Sequence, residues 1–163
     1  MTRNTAKALI INDGKILMIK FRNTVMEMRY ILPIGAFYYD MPGGGQNQYE
    51  SLEDAVKREC LEETGYTVKV ERLAAIYEEI SMNEEFRAVW GDYAHKVHFL
   101  FVCHLDDVPA KPLADADYDM LEPVWIDIAD VTADFPLHPQ IIRDNLGRVL
   151  ASENTLYLGS ELA

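Results

Sequence analysis

The chain has 163 residues, 49% of them hydrophobic, and this length and composition predict a single domain over residues 1–163 with one hydrophobic core. Its 27 acidic and 15 basic residues give a formal net charge of −12, which disfavours binding to nucleic acid and to anionic membranes. A small anionic substrate is not excluded, because a bound divalent cation can locally reverse the charge that the surrounding acids set.

Membrane insertion and disulfide stabilisation are not expected. No apolar stretch approaches the ~18 residues of a membrane span, and the N-terminus lacks the apolar segment of a secretory signal. We therefore expect a cytoplasmic protein without membrane contacts. The two cysteines, Cys60 and Cys103, lie far apart in apolar segments, so we expect buried thiols and neither a disulfide framework nor a thiolate metal site.

The first part of the chain is predicted to form strands around one irregular segment. Residues 7–21 contain two β-rich runs joined by an Asn-Asp-Gly turn at residues 12–14, which predicts a hairpin. Pro33 and Gly35 interrupt the pattern and indicate an insertion or an irregular loop. A short strand is then predicted at residues 37–41, directly before a run of glycines.

Two longer strands are predicted in the middle of the chain. Residues 67–80 have strand content, and residues 95–105 alternate apolar side chains on one side, so the latter are expected to form a central strand. His98 and His104 fall on the polar side of that strand, where we expect them to face solvent or to be satisfied by neighbours.

The last third of the chain predicts a loop, a strand and a helix. Residues 106–120 are acidic and contain two prolines, which indicates a loop, and residues 122–128 read as a strand. Residues 140–150 carry apolar side chains at helical spacing, while residues 152–163 give no prediction. Strands outnumber helices, so the fold class is expected to be a layered α/β or α+β domain.

A helix is predicted at Leu52–Thr64. Ser51 can cap its N-terminus, Asp54 stands where a capping box has an acid, and Gly65 fits the position just beyond the C-terminus. The helix ends in three glutamates that continue its apolar face, at residues 59, 62 and 63.

These glutamates are placed where carboxylates are least favourable. Like charges three and four residues apart repel, and acids in the final turn oppose the helix dipole, at a combined cost of about 1 to 3 kcal/mol. A solvated acidic surface would carry this cost without compensation, whereas a hard divalent cation would convert the repulsion into coordination. Clustered carboxylates suit Mg²⁺ or Mn²⁺, which also bridge to substrate phosphates.

The run Gly43, Gly44 and Gly45 precedes this helix. Glycines let the backbone approach a ligand closely and offer a carbonyl oxygen to a metal. The run is followed by neither the Gly-Lys-Ser/Thr of a phosphate-binding P-loop nor the spacing of a dinucleotide-binding motif. A close-approach loop without either nucleotide motif is therefore expected.

Residues 44–66 resemble the Nudix box, G-x5-E-x7-R-E-U-x-E-E-x-G-U, in which U is a bulky apolar residue. Every fixed position is matched, by Gly44, Glu50, Arg58, Glu59, Cys60, Glu62, Glu63, Gly65 and Tyr66. The resemblance implies an α/β/α sandwich with a mixed β-sheet. It also implies metal-dependent hydrolysis of a nucleoside diphosphate linked to another group, X.

The resemblance implies a role for each matched residue. Glu59, Glu62 and Glu63 would bind Mg²⁺ or Mn²⁺, with the carbonyl of Gly43 as a further ligand. The other two catalytic candidates are Arg58, which would hold a catalytic glutamate in place, and Glu50, which would support the metal site. The general base varies among members, and Glu59 is the candidate here.

Other members take the base from a later loop, where this chain has Glu84, Glu85 and Asp92. The chain also departs from the family at Asn47 and Tyr49, where members often have Glu and Gly. Neither departure alters the predicted metal ligands, but both change the loop that follows the glycines.

The substrate is predicted only as a small nucleotide. A nucleoside triphosphate, a nucleotide sugar such as ADP-ribose and a dinucleotide all remain open. The absence of a proline between Tyr66 and Val108 disfavours ADP-ribose, because members that hydrolyse it often carry one there. Trp90 or Tyr93 could stack on a nucleobase, although core packing is the commoner use of such residues. The alternative function is a catalytically silent nucleotide sensor or scaffold, and a homodimer is also open because members commonly form dimers.

Overall fold

An eight-stranded mixed sheet dominates the computed structural model, which describes residues 1–24, 32–107 and 120–162. Its strands are β1 (Arg3–Asn12), β2 (Lys15–Arg22), β3 (Phe37–Asp40), β4 (Gly43–Gly45), β5 (Val68–Ile80), β6 (His95–Leu105), β7 (Met120–Asp127) and β8 (Leu156–Leu162). The helices of the described residues are α1 (Leu52–Thr64), α2 (Glu84–Val89) and α3 (Gln140–Ala151), with short 3-10 turns at Gly91–Tyr93 and Ile128–Asp130.

The strand order is β3-β2-β1-β6-β5-β8, with β4 paired to β1 and β7 paired to β2. The β1–β6 and β5–β8 pairs are parallel, and the other pairs are antiparallel. The predicted hairpin is confirmed: Asn12 pairs with Lys15, and the turn places Asp13 and Gly14 at φ 48° and 75°. Two successive left-handed residues match the right-handed twist of the flanking strands.

One helix packs on each face of the sheet, which confirms the α/β/α sandwich. On one face, Ala6, Ala8 and Ile10 of β1 pack in the same cluster as Val56 and Cys60 of α1. On the other face, a second cluster joins the sheet to Ile142, Leu146 and Val149 of α3. Because β1 alternates its side chains between the faces, the small alanines lie under α1 and let that helix approach the sheet closely.

Most predicted elements match the structure within two residues. The strand predicted at residues 95–105 is β6, which lies between β1 and β5, and both cysteines are buried. The strands at 37–41, 67–80 and 122–128 and the late helix are also confirmed. Residues 25–31 of the irregular segment and residues 108–119 of the predicted loop lie outside the described residues.

The glycine run, expected as a loop, is strand β4 because its backbone pairs with β1, and helix α2 and strand β8 were not predicted. Helix α2 has no buried residue. Its N-terminus is capped by Asn83, whose Oδ1 accepts a hydrogen bond from the amide of Phe86 at 3.0 Å. Strand β8 has only partly buried or exposed residues and forms by pairing with β5, about 80 positions earlier. Neither α2 nor β8 has the strong hydrophobic period on which a prediction from sequence depends.

Of the two environments expected for His98, contact with neighbouring side chains is found, and exposure to solvent is not. Its side chain is 3% exposed and stacks on the ring of Tyr77 at 4.4 Å, and its Nδ1 lies 2.6 Å from Thr5 Oγ1. His98 is buried because both faces of β6 are covered near it, so alternation along the strand does not separate exposed from buried positions there. His104, in contrast, is exposed and pairs with Glu71.

Within the described residues, none of the helices has the length and apolar character required to cross a membrane.

We predict that Gly43→Ala destabilises the fold. A Cβ at this position would lie 2.2 Å from the carbonyl oxygen of Ala6 and 2.7 Å from Lys7 Cα, and Gly43 has a φ of 136°. Backbone atoms cannot move aside as a flexible side chain can, so we expect a loss of about 2 kcal/mol or more in the free energy of unfolding. Urea denaturation measures this change.

Gly147→Ala is the matched control. Gly147 lies in α3 with no atom within 4 Å of its added Cβ, so alanine should stabilise that helix by about 0.5 to 1 kcal/mol. Equal unfolding free energies for the two variants would contradict the close packing of β4 against β1.

Candidate active site

Helix α1 is fixed at both ends by the predicted caps. The hydroxyl oxygen of Ser51 accepts a hydrogen bond from the amide of Asp54 at 3.1 Å, and Gly65 adopts a φ of 75° beyond the last turn. The buried residues Ala55, Val56 and Cys60 then set the rotation of the helix on the sheet. This rotation brings the glutamates of its second half against strand β4.

The glycines of β4 leave room for these glutamates. A Cβ on Gly44 would lie 2.6 Å from Glu59 Oε2, so the carboxylate occupies the space of an absent side chain. The amide of Gly43 donates a hydrogen bond to Glu63 Oε2 at 2.7 Å. Two predicted metal ligands are therefore held against the strand that precedes the helix.

Arg58 connects three of the acids. Its Nε and Nη2 donate to the two carboxylate oxygens of Glu50 at 2.8 and 3.0 Å, while Nη1 donates to Glu59 at 2.7 Å and to Glu62 at 3.1 Å. The remaining Nη2 hydrogen reaches the carbonyl of Gly45 at 2.9 Å. All five N–H groups of this guanidinium thus have an acceptor.

This arrangement changes the expected electrostatic cost of the acidic helix. Repulsion was expected to burden all three glutamates, but Arg58 compensates Glu59 and Glu62, and hydrogen bonds from Arg58 and Asn47 lower the pKa of Glu50 to about 2. Burial raises the pKa of Glu63 to about 7, against the opposing influence of Lys7. Glu63 is therefore the acid of this helix whose negative charge is disfavoured.

Lys7 lies at the site but was not predicted from the sequence. Burial lowers its pKa, but Asp40 and Glu63 outweigh that effect and leave the pKa raised overall. Its Nζ donates to Asp40 Oδ2 at 2.6 Å and to the carbonyl of Met41 at 3.2 Å. A lone lysine inside the buried run of β1 was the available signal, because lysine is seldom buried without a partner.

The three predicted metal ligands are neighbours, but each carboxylate contacts protein groups. In the described portion of the chain, no set of three His, Cys, Asp or Glu side chains is gathered as a coordination cluster. Glu62, with 57% of its side chain exposed, has the greatest freedom to turn. The oxygen-only donors still suit Mg²⁺ or Mn²⁺, and a cation would compensate the buried Glu63 carboxylate.

The later-loop candidates lie on α2 and on the short 3-10 turn that follows it. Glu84 and Glu85 occupy the first turn of α2, and neither forms an ion pair within the described ranges. Asp92 lies 3.4 Å from the amino group of Met1. Trp90 and Tyr93 are 52% and 45% exposed, which removes core packing as their use.

We predict that Gly44→Ala displaces the Glu59 carboxylate without unfolding the protein. The methyl group would contact the end of a flexible side chain, so the melting temperature should stay near that of the wild type. The increase in melting temperature on adding MgCl₂ should become smaller, because one metal ligand is turned away. An unchanged response to MgCl₂ would contradict this position for Glu59.

We also predict a pH dependence that originates at Glu63. Because its pKa is raised from 4.5 to about 7, the folded chain retains a proton that the unfolded chain releases between these values. Stability in EDTA should therefore fall as pH rises through this window, by about 3 kcal/mol at most. The measurement is urea denaturation of the wild type and Glu63→Gln across this pH range.

The difference in pH dependence of stability between the wild type and Glu63→Gln separates the contribution of Glu63 from that of the other titrating groups. Glu53→Gln, an exposed change in the first turn of the same helix, should follow the wild-type curve. Parallel pH profiles for the wild type and Glu63→Gln would show that burial does not disfavour this carboxylate.

Comparisons with known proteins agree with this site and fold. A family model described as the NUDIX domain matches residues 1–144. The structure is similar to a MutT protein from Bacillus halodurans, with 20% identity over 95% of this chain and 86% of the other and a TM-score of 0.65. It also resembles an ADP-ribose pyrophosphatase from Streptococcus suis, at 19% identity, 95% and 98% coverage and a TM-score of 0.61.

A third similar structure is a UDP-X diphosphatase, with 20% identity over 100% of this chain and 68% of the other and a TM-score of 0.62. Comparison with functionally curated proteins gives no match. The structural likenesses are below 25% identity and therefore establish the fold, whereas the family model covers most of the chain and includes the complete box. The chain belongs to the Nudix family.

Proposed function

We propose that the chain hydrolyses the diphosphate bond of a nucleoside diphosphate linked to a group X, with Mg²⁺ or Mn²⁺ as cofactor. The observation that supports this most directly is Arg58, which fixes Glu50, Glu59 and Glu62 beside the glycines of β4. Two structural relatives are named for compounds of this kind, ADP-ribose and UDP-X.

Four groups are proposed to hold the metal: the carboxylates of Glu59, Glu62 and Glu63 and the carbonyl oxygen of Gly43. Their oxygen donors are the type that Mg²⁺ and Mn²⁺ prefer. A cation held by these groups would supply charge neutralisation for the diphosphate and a lowered pKa for the attacking water. Burial of Glu63 supports the assignment, because its ionised form lacks sufficient compensation from the protein alone.

The protein groups account for the remaining chemistry. Water adds its hydroxyl to one phosphorus, the bond from that phosphorus to the bridging oxygen breaks, and the products are a nucleoside monophosphate and a phosphate of X. We assign the water proton to Glu59 Oε2, because Arg58 engages Oε1. Glu50 acts as a positioning residue, since its two hydrogen bonds orient the guanidinium.

Glu62→Gln tests the metal assignment. We expect kcat to fall about 100-fold or more, because a metal ligand is lost and metal chemistry supplies several kcal/mol of transition-state stabilisation. Folding should be nearly unaffected, since the exposed pair of Glu62 with Arg58 contributes less than about 1 kcal/mol. Steady-state kinetics and thermal unfolding measure the two effects, and Glu53→Gln on the same helix is the control.

The substrate panel should contain nucleoside triphosphates, nucleotide sugars and dinucleotides, each assayed with Mg²⁺ and with Mn²⁺. Nucleotide binding without product from any compound would favour a catalytically silent sensor instead. Full activity of Glu62→Gln would remove that residue from the metal site. A cytoplasmic location and a homodimer also stay predictions, which cell fractionation and light scattering test.

A further inference from the structure

A cavity of about 630 Å³ lies beside the acids of the site, between the start of β1 and the loop that joins β4 to α1. It is lined by residues 1–4, residues 46–50 and Asp92. Its volume is in the range of sites that take a small organic ligand. The chemistry assigned above uses only one of its residues, Glu50.

The cavity adjoins the diphosphate site through this residue. Glu50 forms part of the cavity wall and also makes the two hydrogen bonds that orient Arg58, whose guanidinium reaches Glu59. A ligand in the cavity would therefore be separated from the proposed metal ligands by a single pair of side chains.

The wall is held in shape by its own hydrogen bonds. Asn4 Nδ2 donates to Gln46 Oε1 at 3.2 Å, and Gln46 Nε2 donates to the carbonyl of Glu50 at 2.7 Å. The amide of Asn47 donates to Glu50 Oε2 at 2.9 Å. A wall ordered in this way offers a preformed surface, which lowers the entropic cost of binding.

Primary amides dominate the lining and indicate the chemistry of the ligand. Four of them contribute, from Asn4, Gln46, Asn47 and Gln48, and the side-chain amides of the last two make no hydrogen bond to the described residues. An amide offers both donors and an acceptor, which matches a hydroxyl group that is also both. Several adjacent amides therefore match several adjacent hydroxyls.

The charges of the lining do not favour another phosphate. Arg3 and the amino group of Met1 are opposed by Glu50 and Asp92, so the formal charges cancel. The amino group already contacts Asp92, and the Arg3 guanidinium lies over the ring of Tyr93 at 4.6 Å. A phosphate would need an excess of positive charge, especially on a chain with a net charge of −12.

Tyr49 supplies an independent observation at the same cavity. It has a φ of 67°, a left-handed conformation that is costly for a bulky residue, and it is 97% exposed. Packing in the protein does not repay this strain, because almost all of the ring faces solvent. Strained backbone with an exposed aromatic ring is typical of ligand-binding loops.

We propose that this cavity binds the group X of the substrate and that X is a neutral, hydroxyl-rich group, namely a sugar. The inference depends on the proposed function, because the sugar is placed by the diphosphate to which it is attached. The amides of Asn47 and Gln48 hydrogen-bond its hydroxyls, and the ring of Tyr49 covers one of its faces. The substrate class is thus a nucleoside diphosphate sugar and not a nucleoside triphosphate.

The test compares substrates that differ only in X. UDP-glucose is paired with UTP, and ADP-ribose is paired with ATP, each assayed with Mg²⁺ and Mn²⁺. We expect the wild type to have a higher kcat/KM for the sugar member of each pair. Gln48→Ala and Tyr49→Gly should each lower kcat/KM for the sugar compounds by about 5-fold or more and leave the triphosphates within about 2-fold.

Two controls separate this role from a structural one. Tyr49→Gly should raise the melting temperature, because glycine adopts the left-handed conformation without strain, so a loss of sugar preference cannot reflect unfolding. Gln140→Ala, an exposed change at the start of α3, should leave all four substrates unaffected. Equal losses for sugars and triphosphates, or none for either, would overturn the inference.

Calorimetry distinguishes failure of the cavity assignment from failure of the proposed function. If no compound is hydrolysed, the proposed function fails, but titration of the metal-free protein with UDP-glucose and with UDP still tests the cavity. We expect tighter binding of UDP-glucose in the wild type and equal affinities in Gln48→Ala. Equal affinities in the wild type, or a wild type that prefers triphosphates, would refute a sugar site.

Discussion

The five hydrogen bonds of Arg58 hold the candidate site together. They join a residue of the loop before α1, two residues on α1 and a carbonyl of β4, so one planar group sets the distances among three elements. A lysine has a single charged centre and could not hold Glu50 in the same two-bonded geometry. The same cation reduces the repulsion among carboxylates that would otherwise oppose the helix.

The glycines of β4 also determine how closely the elements of the site approach one another. A side chain on Gly44 would overlap the Glu59 carboxylate, and one on Gly43 would overlap the backbone of β1. The strand can therefore lie between β1 and α1 only because it carries no side chains. The result places Glu63 where burial disfavours its charge, with Lys7 as the nearby cation on the buried strand.

Polar groups continue beyond the site on the face of the sheet that carries α3. Thr5 and His98 are buried neighbours, and the Nε2 of His98 lies 3.3 Å from Glu79 Oε2. A neutral imidazole can accept from Thr5 at Nδ1 and donate towards Glu79 at Nε2, which agrees with a His98 pKa lowered by burial. Hydrogen bonds from His98 and Lys96 outweigh burial and lower the pKa of Glu79 to about 2. This end of the sheet therefore contains buried polar side chains beside an ion pair.

The sequence by itself determined the elements whose signals are local. The hairpin turn, the capped helix α1 and the alternation of β6 each depend on neighbouring residues. Tertiary structure decided the rest, because burial and pairing depend on residues distant in the chain. Strand β8 exists through its pairing with β5, His98 and Lys7 are buried because both faces of the sheet are covered, and Arg58 gained its acceptors only when β4, the following loop and α1 came together.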